Sequence, residues 1–139
     1  MGNRAVITAS NSTTKGIGIY LHWNGGIESV QAFLDVAKAR GFRDPTSDES
    51  YGMARLCGLI HEFFGVDQDT SLGIGTLEQL DCDNYDNGVY VIGEGWQIKS
   101  RWGKGSSLFN EGAVHAAREH EQYKSIVEQL TLKEKTNAN

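Results

Sequence analysis

Hydrophobic and polar positions alternate along residues 17–23, just before the sequence becomes rich in glycine. The apolar positions are Ile17, Ile19, Leu21 and Trp23. A period of two is typical of a strand with one buried face. The pattern therefore predicts that Leu21 and Trp23 point into the core and that His22 points outward.

The spacing of apolar residues changes after residue 26. Apolar residues then recur at helical intervals, at Ile27, Val30, Phe33, Leu34 and Ala37. This spacing predicts a first helix over residues 27–40. Asn24, Gly25 and Gly26 lie between the two periods and give the backbone freedom to turn. We expect this corner to bring His22, Asn24 and backbone amides together.

The flanking segments follow from the same criteria. Residues 4–9 alternate as a strand that we expect to pair antiparallel with residues 17–23. Thr46 is the predicted N-cap of a second helix that ends at Phe64, because Glu49 follows three residues later in the spacing of a capping box.

The second half of the chain contains three further predicted strands and a last helix. The predicted ranges are 72–76, 89–92 and 96–102 for the strands and 111–133 for the helix. In the last strand we expect inward side chains at Trp96, Ile98 and Trp102, and outward ones at Gln97, Lys99 and Arg101. The apolar stripe of the last helix is interrupted, so it either packs on the domain, pairs with a second copy, or frays.

The element order β-β-α-α-β-β-β-α predicts an α+β fold with a mainly antiparallel sheet of about five strands. A length of 139 residues suits one domain. We divide it into a core over 1–105 and a C-terminal helix and tail over 106–139 of the same domain.

Composition restricts the class of partner. The formal net charge is −5, with 22% charged residues, which argues against direct binding to nucleic acid or to an anionic membrane and favours a basic protein partner. The first residues lack the apolar stretch of a signal peptide, and no run is long enough to span a bilayer. We expect a cytoplasmic protein of a bacterial host cell.

Candidate catalytic and metal sites are weak. Cys57 and His61 lie four residues apart on the second helix, but Cys57 falls in its apolar stripe. Counted from Asp83, residues 83–94 match part of a calcium loop, yet Tyr85 stands where a carboxylate ligand is needed. We therefore expect no enzyme activity, no cofactor and no metal.

Four segments resemble a family of small proteins carried by bacterial phages, prophages and conjugative elements. They are Gly2–Ile7, Tyr20–Gly26, Tyr51–Leu56 and Leu80–Tyr90. The similarity covers about residues 2–102 and contains no catalytic signature. It implies a role in countering host defence, for which an anti-CRISPR-like inhibitor is the natural instance.

Two functional hypotheses follow. In the first, Asp81, Asp83 and Asp86 offer negative charge, and Tyr85 an aromatic anchor, to a basic surface of a defence protein or ribonucleoprotein complex.

The second hypothesis is a nucleotide-sequestering protein. The amides of Asn24, Gly25 and Gly26 would hold a phosphate and His22 or Trp23 would stack on a base. That site would require nearby cationic side chains from Arg4, Arg43 or Arg55. In either case, the last helix offers a route to a homodimer.

Overall fold

The structure, a computed structural model, describes residues 2–65 and 72–137. Its strands are β1 (Ala5–Thr8), β2 (Ile17–Leu21), β3 (Leu72–Thr76), β4 (Val89–Gly93) and β5 (Gln97–Trp102). Its helices are α1 (Ile27–Ala39), α2 (Glu49–Phe64), α3 (Glu111–Glu119) and α4 (Glu121–Asn137), and one 3-10 turn, Glu94–Trp96, joins β4 to β5.

The strands form one five-stranded sheet in the order β3-β2-β1-β4-β5. β1 is antiparallel to β2 but parallel to β4, with Val6 opposite Val89. The β2–β3 and β4–β5 pairings are antiparallel. The predicted α+β class with a mainly antiparallel sheet is confirmed, and the parallel central pair is a feature that the pattern of residues did not reveal.

Both faces of the sheet are covered, and this explains why every residue of β1 is buried. Ile7, Ile19 and Leu21 pack beneath α1 and α2 in the larger core. A smaller cluster covers the opposite face, where Val6 and Val89 pack with Val91, Leu77 and Cys82. A strand with two buried faces is a near-continuous apolar run, as Ala5-Val6-Ile7 is.

The N-cap predicted for α2 is wrong, whereas α1 ends in a regular C-terminal motif. Gly41 has φ of 74°, and Phe42 N donates to Ala37 O at 3.1 Å, which closes α1 in a Schellman motif. The N-cap of α2 is Asp48, not Thr46. The Thr46 hydroxyl instead donates to Asp44 Oδ1 at 2.6 Å.

A β-bulge in β5 reverses the predicted facing of its last residues. Ile92 pairs with Ile98, whereas Val91 pairs with Ser100, so Lys99 is an extra residue in β5. Beyond it, Arg101 lies on the helix-covered face, with its guanidinium carbon 4.2 Å from the centre of the Tyr90 ring.

Trp102 consequently packs with the smaller cluster on the opposite face. The predictions for Arg101 and Trp102 were therefore wrong, whereas Trp96 and Ile98 are buried as expected.

The predicted last helix is two helices. His120 has ψ of 141° and separates α3 from α4. Ile126 and Leu130 of α4 are buried in the same core as α1, so residues 106–139 contribute to the core of the domain. These two apolar residues are used within the chain, so a homodimer through this helix stays a prediction.

Candidate functional site

The acidic loop, residues 81–88, precedes β4 and alternates between exposed and buried side chains. Asp81, Asp83 and Tyr85 are exposed, whereas Cys82 and Asn84 are buried. Cys82 packs in the smaller cluster, and its thiol donates to Leu77 O at 3.4 Å. The buried residues hold the loop on the sheet, so the exposed ones are presented outward from a fixed backbone.

Asn84 organises the loop through five hydrogen bonds. Its Oδ1 accepts from the backbone amides of Asp86, Asn87 and Gly88 at 3.1, 3.0 and 2.9 Å. Its Nδ2 donates to Asp81 O at 2.9 Å and to Gly88 O at 3.2 Å. A side chain that satisfies this many backbone groups replaces the ladder that a strand or helix would supply.

The segment that follows β5 braces the acidic loop from one side. Tyr85 N donates to Lys104 O at 2.9 Å, and Lys104 N donates to Asp83 Oδ1 at 2.8 Å. Gly105 has φ of 100°, and a Cβ there would lie 2.5 Å from the carbonyl carbon of Tyr85. Only glycine permits this approach, so Gly105 is part of the site.

Arg4 neutralises part of the charge of the loop. Its Nε donates to Asp86 Oδ2 at 2.7 Å, and its backbone N donates to the same oxygen at 3.1 Å. These bonds lower the pKa of Asp86 below its usual value. Arg4 Nη1 also lies 3.4 Å from Asp81 Oδ2. The predicted acidic residues are thus brought together, but Asp86 is an internal ion-pair partner and not a free contact.

Tyr85 is the aromatic residue of the acidic loop, and it is 69% exposed. Its φ is 61°, in the left-handed region that bulky residues rarely adopt. The nearest cation is Lys104, whose Nζ lies 5.6 Å from the ring centre. The loop therefore presents a tyrosine ring from a backbone conformation that glycine or asparagine would adopt at lower cost.

The glycine corner joins strand to helix as predicted, but it is closed by its own chain. Gly25 N donates to Asn3 O at 2.8 Å, and Gly25 O accepts from the Tyr90 hydroxyl at 2.8 Å. A Cβ on Gly26 would lie 2.8 Å from Glu28 Oε1. An amide already bonded and a carboxylate beside the helix start both disfavour a phosphate at this corner.

Trp23 is not a core residue, and its predicted burial was wrong. The strand ends at Leu21, so the alternation no longer applies, and Trp23 is 45% exposed. His22 Nδ1 lies 3.0 Å from the Tyr20 hydroxyl. Its ring meets Trp23 edge-on, with 4.9 Å between centres. His22 and Trp23 thus form a half-exposed aromatic pair beside the corner.

The arginines required by the nucleotide hypothesis meet elsewhere. Arg43 and Arg55 line a pocket of about 440 Å³ with Tyr51, near the C-terminal end of α1. The guanidinium carbon of Arg43 lies 4.4 Å from the centre of the Tyr51 ring. Arg4 instead binds the acidic loop. Arg43 and Arg55 therefore lie at the opposite end of α1 from the corner. The backbone of Arg4 adjoins the corner, since its carbonyl carbon would lie 2.9 Å from a Cβ on Gly25, but its guanidinium is bonded to the acidic loop.

The weaker chemical candidates gain nothing from the geometry. Cys57 is half-buried, and burial raises the pKa of its thiol, which is unfavourable for a nucleophile. Glu94 lies at the far end of β4 from Asp83, too distant for the two to share a calcium ion. In residues 2–65 and 72–137, no three side chains of the ligand types histidine, cysteine, aspartate or glutamate converge on a metal site.

Sequence reasoning identified the exposed residues of the acidic loop but missed those that hold it. Asn84 and Gly105 are buried or close-packed, and Arg4 comes from the distant N-terminal end of β1. Asn84 precedes the Asn87-Gly88 turn by three residues, and an asparagine in this setting commonly bonds the backbone that follows it. This was the one available signal.

No protein-family model matches the chain, and no curated protein or solved structure is significantly similar to it. Among the described residues, none of the helices has the length and apolar character that crossing a bilayer requires.

Proposed function

We propose that this protein is a binding protein, not an enzyme, that inhibits a bacterial defence complex stoichiometrically by occupying a basic surface. The acidic loop makes the contact, with Tyr85 as the anchor and Asp81 and Asp83 beside it. The resemblance to proteins of phages and conjugative elements supports the anti-defence role and a cytoplasmic location in the host.

The single observation that carries this proposal is the exposed left-handed Tyr85. Three non-glycine residues have positive φ in the described chain: Asn24, Tyr85 and Trp96. Asparagine tolerates this conformation. Trp96 is 3% exposed, so its burial offsets the strain. Tyr85 has neither explanation, and strained exposed residues concentrate at binding sites.

Charge supports the same surface. The net charge of −5 steers the protein towards a basic partner. Asp81 and Asp83 remain exposed after Arg4 has paired with Asp86. The tyrosine supplies apolar area for the centre of an interface, and the aspartates supply complementary charge at its edge.

The test compares two exposed tyrosines in phage plating assays on hosts that carry different defence systems. Tyr85→Ala should weaken binding about 30-fold, the effect of removing a hot-spot anchor, and abolish protection of the phage. Tyr51 is 53% exposed on α2 and also lies beside a cation, but it lines the pocket of the second candidate below. Tyr51→Ala therefore separates the two sites, because it should leave inhibition by the acidic loop intact. Equal protection by both variants and the wild type excludes the acidic loop.

A second pair of variants tests charge. Asp81→Lys should weaken inhibition, and raised salt should weaken that of the wild type. Glu128 is an exposed residue of α4, so Glu128→Lys makes the same change of charge away from the loop and should leave inhibition intact. Asp86 is less suitable for this test, because Arg4 holds it through two bonds of 2.7 and 3.1 Å, whereas Arg4 meets Asp81 through one exposed bond of 3.4 Å.

A small nucleotide is the second candidate ligand, and the meeting of Arg43, Arg55 and Tyr51 around one pocket favours it. Guanidinium groups bind phosphate, and an exposed aromatic ring offers a surface for a base. Calorimetry with a cyclic dinucleotide tests it: binding that is lost in Arg55→Ala and retained in Arg4→Ala supports this pocket. Absence of binding by the wild type removes the candidate.

A further inference from the structure

A cleft of about 260 Å³ lies between α1, β5 and α3, on the helix-covered side of the sheet. It exists because α3 is a separate helix that packs against α1. Ile98 and Val114 contribute apolar walls, and Gln31, Glu111 and Arg118 contribute polar groups. Exposed Gln97 and His115 complete the lining. None of these residues belongs to the acidic loop or to the arginine pocket.

Gln31 is the unusual member of this lining. It is 1% exposed, and its Oε1 is buried with no hydrogen-bond donor in the described part of the chain. Its Nε2 donates to Asp35 Oδ1 at 3.0 Å. Exchanging the two ends of the amide would point Oε1 at a carboxylate, so the orientation is fixed by Asp35. A buried acceptor without a donor is costly, and Gln31 is part of the lining of the cleft.

The charges of the cleft select the sign of a ligand. Arg118 Nε and Nη2 each donate to Asp35 at 2.9 Å, so the two charges cancel in a bidentate pair. Glu111 has no ion pair among residues 2–65 and 72–135. With an unpaired carboxylate and an unsatisfied carbonyl oxygen, the cleft favours a cationic donor and repels an anion.

We propose that this cleft binds an ammonium or guanidinium group carried on a short aliphatic stem. The cation donates to Gln31 Oε1 and to the Glu111 carboxylate, and the stem packs between Ile98 and Val114. This binding site is additional to the acidic loop and does not depend on the proposed inhibition. The cation comes either from a free amine or from an arginine or lysine side chain of another protein.

The test is a titration of the full chain with agmatine, followed by the NMR signals of the Gln31 side-chain amide. Shifts that saturate, with inorganic phosphate producing none, are expected. Glu111→Gln should weaken agmatine binding about tenfold, the effect of losing one charge-assisted hydrogen bond. Glu119→Gln on the same helix, at an exposed position outside the cleft lining, is the matched control.

Two further measurements complete the test. Gln31→Met preserves volume but removes the acceptor, and should abolish binding; if that variant does not fold, Glu111→Gln still decides. A blocked Gly-Arg-Gly peptide separates the sources: tighter binding of the peptide than of agmatine indicates a protein side chain, and equal or weaker binding indicates a free amine. No saturable shift with either probe, or equal losses in Glu111→Gln and Glu119→Gln, overturns the proposal.

Discussion

Tyr85 and Trp96 adopt the same left-handed backbone, with φ of 61° in each, and differ in everything around the ring. Trp96 is buried, and its Nε1 donates to Phe42 O at 3.1 Å. Tyr85 is exposed, and its backbone bonds to the segment after β5. The strain at Trp96 is compensated inside the fold. At Tyr85 the fold holds the backbone but gains little from the ring, and this difference is the reason for proposing that the ring contacts a partner.

The largest expected effect is at the buried member of the pair. Trp96→Ala should lower the free energy of unfolding by about 3–5 kcal/mol, because it leaves a cavity and an unpaired Phe42 carbonyl. Tyr85→Ala should change it by less than about 0.5 kcal/mol, as expected at an exposed site. Urea denaturation measures both. Similar losses in the two variants would remove the distinction between a structural and a presented aromatic residue.

Asn84→Ala tests whether the loop really holds the backbone of Tyr85. It removes the side-chain partner of three buried or part-buried amides and of Asp81 O, whereas Gly88 O keeps its bond from Val6 N. The loss should cost roughly 3 kcal/mol. Hydrogen exchange at residues 84–88 should accelerate with it. Asn11→Ala, which removes one exposed hydrogen bond from Lys99, is the control. If exchange in the loop does not change, Asn84 does not fix it.

Tyr85→Gly separates the two roles of this position most directly. Glycine adopts positive φ without a Cβ clash, which relieves about 1–2 kcal/mol of strain. This relief outweighs the roughly 0.5–1 kcal/mol that the freedom of glycine costs in the unfolded chain, so the variant should be up to about 1 kcal/mol more stable than the wild type. The same change removes the ring and should abolish inhibition. Thermal unfolding measures the gain in stability, and the plating assay measures the loss of inhibition. A variant that is less stable and still inhibits would contradict both assignments.

The dependence of stability on acidic pH compares the two carboxylates, Asp86 and Asp44, that hold the turns beside Tyr85 and Trp96. Asp86 bonds Arg4 beside Tyr85. Asp44 accepts from Gly95 N at 2.7 Å beside Trp96. The pKa of Asp86 is lowered by the Arg4 bonds; for Asp44, burial raises the pKa but the bonds from Thr46 and Gly95 outweigh it. A carboxylate with a lowered folded pKa stabilises above its unfolded pKa of about 3.9 and loses that contribution as the pH falls.

Unfolding free energies from about pH 5 to about pH 2 should therefore fall less steeply in Asp86→Asn and in Asp44→Asn than in the wild type. Glu128→Gln, at an exposed position of α4, controls for the loss of one titratable carboxyl group. An unchanged slope in Asp86→Asn would show that Arg4 does not hold the loop in solution.

The elements with a periodic apolar pattern could be predicted from the sequence. The alternation in β2 and the helical spacing in α1 each arise from one apolar face, so both elements were predicted to within two residues. Features set by a single residue had no such signal. The extra Lys99 in β5 exchanges the facing of Arg101 and Trp102, and the break at His120 divides the last helix.

The candidate site divides in the same way. Exposed charge and an Asn-Gly turn marked the acidic loop, because turn chemistry is local. Its supports were not predictable from neighbouring residues: Arg4 is 82 positions from Asp86, and Gly105 is needed only because its backbone passes the carbonyl carbon of Tyr85. Gly105 reaches Tyr85 because β5 returns antiparallel beside β4. Arg4 reaches the loop because β1 pairs in parallel with β4, a pairing that no periodicity reveals.

That pairing also sets an order of events on the ribosome. β1 is synthesised before the other four strands and is the central strand of the finished sheet, yet its neighbour β4 begins at Val89. The nascent β1–β2 hairpin therefore keeps Val6 and Ile7 open along one edge until β4 has emerged. Closing so long a loop slows folding. The exposed interval is when the chain is most prone to pair with another unfinished copy.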